Sequence, residues 1–126
     1  MNHGELRNVY HFSSNNKDSI NYGNRCPALW FKLNHLLLRA AVNSNRNEVI
    51  YYEPIPLNAF SRLYYEQRYN TTTQKYVIKV FINSTLVNEI VNNDARDFDN
   101  VHVYLSDPWY AAEESVIIKD FKYGIF

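Results

Sequence analysis

The sequence predicts an all-β fold, a single antiparallel β-sandwich occupying residues 1–126. Three observations predict it. Aromatic residues make up 16% of the chain, and tyrosine, with 11 copies, is the commonest of them; such side chains favour pleated, half-buried surfaces. Segments with period-two alternation recur, most plainly over 76–82. There Tyr76, Ile78, Val80 and Ile82 share one face, and Val77, Lys79 and Phe81 share the other. Turn-forming clusters separate these segments at intervals of roughly 8–12 residues, the spacing of sandwich and barrel strands. No fixed-period repeat and no linker marks a domain boundary, and a chain of this length can bury one core without staples.

The elements follow in order. Residues 5–12 read as a first strand, with Leu6, Val9, Tyr10 and Phe12 as its apolar content. Residues 13–25 are a polar connection holding Asn15-Asn16, Asp18 and Tyr22-Gly23-Asn24. Residues 28–43 have two readings. Trp30, Leu33, Leu37, Leu38 and Ala41 fall at helical spacing, but two strands over 28–33 and 36–42, turning at Asn34-His35, fit equally. Residues 48–53 form a short aromatic segment that Pro54 and Pro56 break.

A strand over 60–69 comes next, with Leu63, Tyr65 and Gln67 on one face and Arg62, Tyr64, Glu66 and Arg68 on the other. The second row reads as a cross-strand ion-pair ladder. The strand over 76–82 turns at Asn83-Ser84-Thr85 and pairs back over 86–91, although this turn lacks the favoured glycine. Val101, Val103 and Leu105 mark a further strand, and 116–123 reads as the last. First and last strands could pair and cover an exposed edge.

Composition excludes several classes. Thirteen basic residues balance thirteen acidic ones, and the basic residues are scattered, so nothing draws the chain as a whole to nucleic acid or to an anionic membrane. No stretch approaches the ~20 apolar residues of a membrane-spanning helix. One cysteine, Cys26, allows no internal disulfide and alone favours an intracellular setting; it reads as a small buried hydrophobe. The first twelve residues lack a signal-peptide apolar stretch, so an exported protein would carry this chain as a mature or excised piece.

The second half resembles a laminin-G/concanavalin-like jelly roll. The resemblance rests on 55–60 leading into 61–66, on the hairpin over 76–91 (with Ser84 where those domains carry glycine), and on the closing segment 116–126. A narrower likeness is to uncharacterised domains of invertebrate extracellular proteins. It rests on Asp97-Phe98-Asp99-Asn100-Val101-His102-Val103-Tyr104 followed by Ser106-Asp107-Pro108-Trp109-Tyr110, and on Pro27-Ala28-Leu29-Trp30-Phe31. It implies two strands over 28–43 and an extracellular or cell-surface setting. Fold likeness of this kind says little about ligand.

Candidate site residues divide into three groups. Asn70-Thr71-Thr72 and Asn83-Ser84-Thr85 are N-glycosylation sequons at expected hairpin tips, making Asn70 and Asn83 candidate acceptors. Residues 92–100 concentrate oxygen ligands, and laminin-G-like domains hold calcium at a rim. Asp94, Asp97 and Asp99 are therefore candidate calcium ligands, with Arg96 placed to neutralise one of them instead. Asp107, Trp109 and Tyr110 could contact a sugar, the rings by stacking and the carboxylate by accepting hydroxyl protons; the plainer reading is that they close the end of the sandwich.

The four histidines share no metal spacing and read as surface or packing residues. Catalytic patterns are missing: there is no Gly-x-Ser-x-Gly elbow, and Glu66 has no carboxylate two or four residues away with which to share acid and base roles. The expectation is an extracellular, non-enzymatic binding module that recognises a carbohydrate or glycoprotein through rim loops. A structural or adhesive protein–protein domain is the alternative.

Overall fold

The computed structural model describes residues 6–14, 22–98, 100–105 and 116–124. Among them lie eight strands: β1 (Arg7–Ser14), β2 (Ala28–Lys32), β3 (His35–Val42), β4 (Asn45–Pro54), β5 (Leu63–Asn70), β6 (Lys75–Ile82), β7 (Thr85–Asn92) and β8 (Val101–Tyr104). All pairings are antiparallel, and no helix occurs among the described residues. One sheet has the order β4-β3-β2-β1-β8 and the other β5-β6-β7. Strands β2–β4 and β5–β7 are meanders of hairpins, while β8 joins the five-stranded sheet beside the non-consecutive β1. The chain passes to the second sheet between β4 and β5 and returns between β7 and β8.

Residues 28–43 form two strands, not a helix. The register Trp30↔Leu37 and Leu29↔Leu38 fixes the hairpin. In β3, Leu36, Leu38, Ala40 and Val42 face the core shared with the second sheet, while Leu37 packs with Ala28, Trp30 and Leu6 on the opposite face. A strand buried on both faces reads as a continuous apolar run, which is why a helical period could be drawn through it.

The two sheets share one core. Val9, Leu29, Leu36, Leu38 and Ile50 from the five-stranded sheet meet Ile78 and Val80 from the three-stranded one. This shared core makes the pair of sheets a β-sandwich. On one side the sheets are stitched by asparagine side chains, where β4 runs close to β7. Asn88 donates to the Ile50 carbonyl at 2.6 Å. Asn43 donates its side-chain amide to the Val91 backbone carbonyl and its backbone N–H to the Asn92 side-chain Oδ1, both at 3.0 Å. On the other side β5 and β8 are free edges that do not pair.

Three hairpins turn through two residues with positive φ: Leu33-Asn34 (53° and 62°), Asn43-Ser44 (50° and 66°) and Asn83-Ser84 (50° and 68°). These signs are those of the type I′ turn, whose twist matches that of the strands. Asparagine tolerates the left-handed region, so two of the turns dispense with glycine at little cost. Leu33 has no such excuse. Leu33→Asn is expected to raise stability by about 0.5–1 kcal/mol, read as a higher urea midpoint at unchanged m-value.

The last expected strand is not formed. Residues 116–124 adopt no strand, Asp120 has a φ of 55°, and no backbone hydrogen bond ties the segment to the other described residues. Its only long apolar run, Val116-Ile117-Ile118, leaves Ile117 exposed. The first strand therefore pairs with β8, through Phe12↔Val103 and His11↔Tyr104, rather than with the last segment.

Candidate functional site: an aromatic cleft between the sheets

The inner face of β1 presents Tyr10 and Phe12, two residues apart and so on the same side of the strand. Residues 116–124 cross in front of it and add Phe121 and Tyr123, likewise two apart. The four rings form one cluster. Tyr10 meets Phe12 and Phe121 at centroid distances of 5.8 and 5.7 Å. Phe12 meets Tyr123 edge-on at 5.4 Å. These spacings and tilts are those of favourable aromatic pairs.

The inner face of the edge strand β5 supplies the facing wall with Tyr65, Gln67 and Tyr69. Tyr69 stands across from Tyr76 of β6, edge-on at 5.2 Å, with both rings partly in solvent. Gln67 accepts a hydrogen bond from Asn92 at 2.9 Å, which fixes its amide. Between the walls lies an open cleft, lined by Tyr10, Phe12, Tyr65, Tyr69, Phe121 and Tyr123 among others. Burial raises the hydroxyl pKa values of Tyr10 and Tyr65 well above the ordinary tyrosine value. Both hydroxyls stay protonated and able to donate at any physiological pH.

The row expected to form a cross-strand ion-pair ladder pairs along its own strand instead. Arg68 pairs with Glu66 at 2.6 Å, and Tyr64 donates to Glu66 at 3.4 Å. Glu66, Lys79 and Glu89 do alternate in sign across the outer face of the three-stranded sheet. Glu66 is thus a held carboxylate.

At the opposite end of the sandwich, Asp94 is engaged on both oxygens. Arg96 binds it in a fork at 2.9 and 2.7 Å, and Ser44 donates at 2.9 Å. The guanidinium, and then Ser44, hold the Asp94 carboxyl below the usual range. The Arg96 guanidinium also stacks over the Tyr22 ring at 4.0 Å, and the Tyr22 hydroxyl donates to the Asp94 carbonyl. Gly23 is needed beside them: its φ is 99°, and a Cβ there would lie 2.6 Å from the Phe98 ring.

The described part of this loop does not fit calcium. A hard cation needs six to eight oxygens, and the Asp94 oxygens already face a guanidinium. Asp97 is exposed, and Asp99 lies outside the described residues. Among the described residues no group of three or more acidic, histidine or cysteine side chains converges.

Asn70 and Asn83 stand exposed at the β5–β6 and β6–β7 connections, as expected. Each uses its side-chain carbonyl locally: Asn70 accepts from the Thr72 and Thr73 N–H groups, Asn83 from the Arg62 N–H. That leaves the amide nitrogen, the atom a glycan would take, without a partner among the described residues. Asp107, Trp109 and Tyr110 lie outside the described residues.

The described histidines pack. His11 is buried edge-on against Trp30, with Nε2 hydrogen-bonding to the Asn24 carbonyl. His35 lies tilted against Tyr52, and His102 stacks on Tyr104. The Cys26 thiol lies 3.5 Å from the Phe12 carbonyl, and burial pushes its pKa up to about 12. A thiol reagent at pH 8 is therefore expected to label native Cys26 at least ~100-fold more slowly than the unfolded chain. Equal rates would show an open thiol.

Sequence reasoning missed the four-ring cluster. Its signal was present as two aromatic pairs at period-two spacing, Tyr10/Phe12 and Phe121/Tyr123, each read only as strand content. The chain matches no family model, no curated protein and no solved structure.

Proposed function

We propose that this chain is a non-enzymatic binding module that takes a carbohydrate, free or on a glycoprotein, into the cleft between its sheets. The observation that carries the reading is the tyrosine-rich cleft. Rings at Tyr69 and Tyr123 offer flat faces for sugar C–H groups, and Gln67 and the Tyr10 and Tyr65 hydroxyls offer directed hydrogen bonds. The rings are spread over both walls and the crossing segment, so an oligosaccharide suits the cleft better than a single sugar. The laminin-G-like resemblance and the two sequons support an extracellular setting, in which glycans are the ligands at hand. The non-enzymatic reading rests on the missing acid–base pair and on Glu66 being held by Arg68.

A glycan array with and without calcium tests the reading. A retained oligosaccharide is expected, and Tyr69→Ala or Tyr123→Ala should each weaken it about tenfold. Silence under both conditions, together with a concentration-dependent dimer in light scattering, would favour an adhesive protein–protein domain instead.

A further inference from the structure

The three-stranded sheet packs one face into the core through Ile78 and Val80 and presents the other outward. The outer face carries three cross-strand rows: Tyr64-Phe81-Leu86, Glu66-Lys79-Glu89 and Arg68-Val77-Val91. Tyr64 is 43% exposed, Leu86 45% and Val91 39%, and Val87, at the β7 bulge beside Leu86, is exposed as well. Tyr64 and Phe81 meet edge-on at 5.8 Å. These apolar side chains are neighbours on one face rather than scattered singly.

The middle row is charged and only partly paired. Glu66 is held by Arg68. Lys79 and Glu89 stand directly opposite each other across β6 and β7, yet among the described residues neither forms an ion pair. A free cation and a free carboxylate thus lie side by side, between one apolar row and another.

We propose that this face joins two copies of the chain in a two-fold dimer, β6 of each copy lying over β7 of the other. A two-fold axis parallel to the strands, midway between β6 and β7, keeps every row level with itself. Lys79 then faces the partner's Glu89, Phe81 faces the partner's Leu86, and Val77 faces the partner's Val91. Contacts of this kind are isologous, each made twice, and aligned sheets pack about 10 Å apart with their side chains interdigitated.

The charges select this axis, because like charges set against each other oppose association. An axis over β6, or one across the strands at the charged row, would set Lys79 against its own copy. An axis between β5 and β6 would lay Arg68 on Val77 and draw Glu66 away from Arg68. The overlap is two strands wide, which places the dimer in the small, transient class. None of Val77, Lys79, Phe81, Leu86, Glu89 and Val91 lines the cleft. The dimer therefore needs no sugar ligand and leaves the cleft walls free.

The test is sedimentation velocity of the full chain over about 1–500 µM, with a dimer expected to be half formed at the order of 10–100 µM. Lys79→Glu and Glu89→Lys should each weaken it more than about tenfold. The two substitutions together should restore it, because the exchanged charges still face each other. Restoration excludes misfolding as the cause of the single losses. It also excludes the axis between β5 and β6, about which the exchange would set Glu66 against another carboxylate. Leu86→Ser should weaken the dimer several-fold through lost apolar burial. A monomer at every concentration overturns the proposal. So does a dimer that Lys79→Glu leaves unchanged, or a double exchange that fails to restore association.

Discussion

Replacing Trp30 with alanine is expected to destabilise the protein by about 3–5 kcal/mol. Trp30 is 1% exposed and is the largest fully buried side chain on the face of the five-stranded sheet that points away from the shared core. It packs with Ala28 and Leu37, meets His11 edge-on at 5.5 Å, and lies beneath the Arg25 guanidinium at 5.9 Å. Its loss strips all of these contacts and leaves His11, itself buried, beside a void. A domain of this size holds only ~5–15 kcal/mol in total, so the variant should be partly unfolded at 37 °C. Urea denaturation followed by far-ultraviolet circular dichroism checks this. A change below about 1 kcal/mol would mean that the face is a loosely covered surface rather than a second core.

The second large effect is expected at the shared core. Ile78 is fully buried between the sheets. Ile78→Ala should cost about 2–5 kcal/mol, because the facing strands β2 and β3 are locked in register and cannot close the cavity. Ile117→Ala, at an exposed position of the segment without strand structure, should change stability by less than about 0.5 kcal/mol. If the two substitutions had similar effects, the sheets would not be packed as described. The pair distinguishes a sandwich from two sheets joined only at the asparagine seam.

Much of the fold was legible because its physics is local. Alternation over 76–82 placed Ile78 and Val80 together, and the register of β6 puts both in the core. The expected strand over 60–69 had its inward Leu63, Tyr65 and Gln67 assigned correctly. The turn at Asn83-Ser84 was identified despite lacking glycine. The region 28–43 was ambiguous for a physical reason: β3 is covered on both faces, so its period is masked.

The last segment failed for the opposite reason. Val116-Ile117-Ile118 has the composition of a strand, but composition cannot say whether an edge is within hydrogen-bonding reach. Here neither β5 nor β8 takes it up, and Asp120 bends it away.

The candidate site was less legible than the fold. Asp94 was a candidate cation ligand with Arg96 as its alternative partner, and the fork from Arg96, two residues on, is the arrangement found. The two aromatic pairs of the cleft were visible in the chain, but not that they meet. Its walls come from β1, from β5 and from residues 116–124, segments far apart in sequence and joined only by the way the sheets splay.

The most direct test of the cleft is chemical-shift mapping by nuclear magnetic resonance with an oligosaccharide that the protein retains. The cleft account predicts perturbations centred on Tyr10, Phe12, Tyr65, Gln67, Tyr69 and Tyr123, with loss of the effect in Tyr69→Ala. Perturbations confined to Asp107, Trp109 and Tyr110, with the cleft residues unmoved, would contradict it and return recognition to the rim.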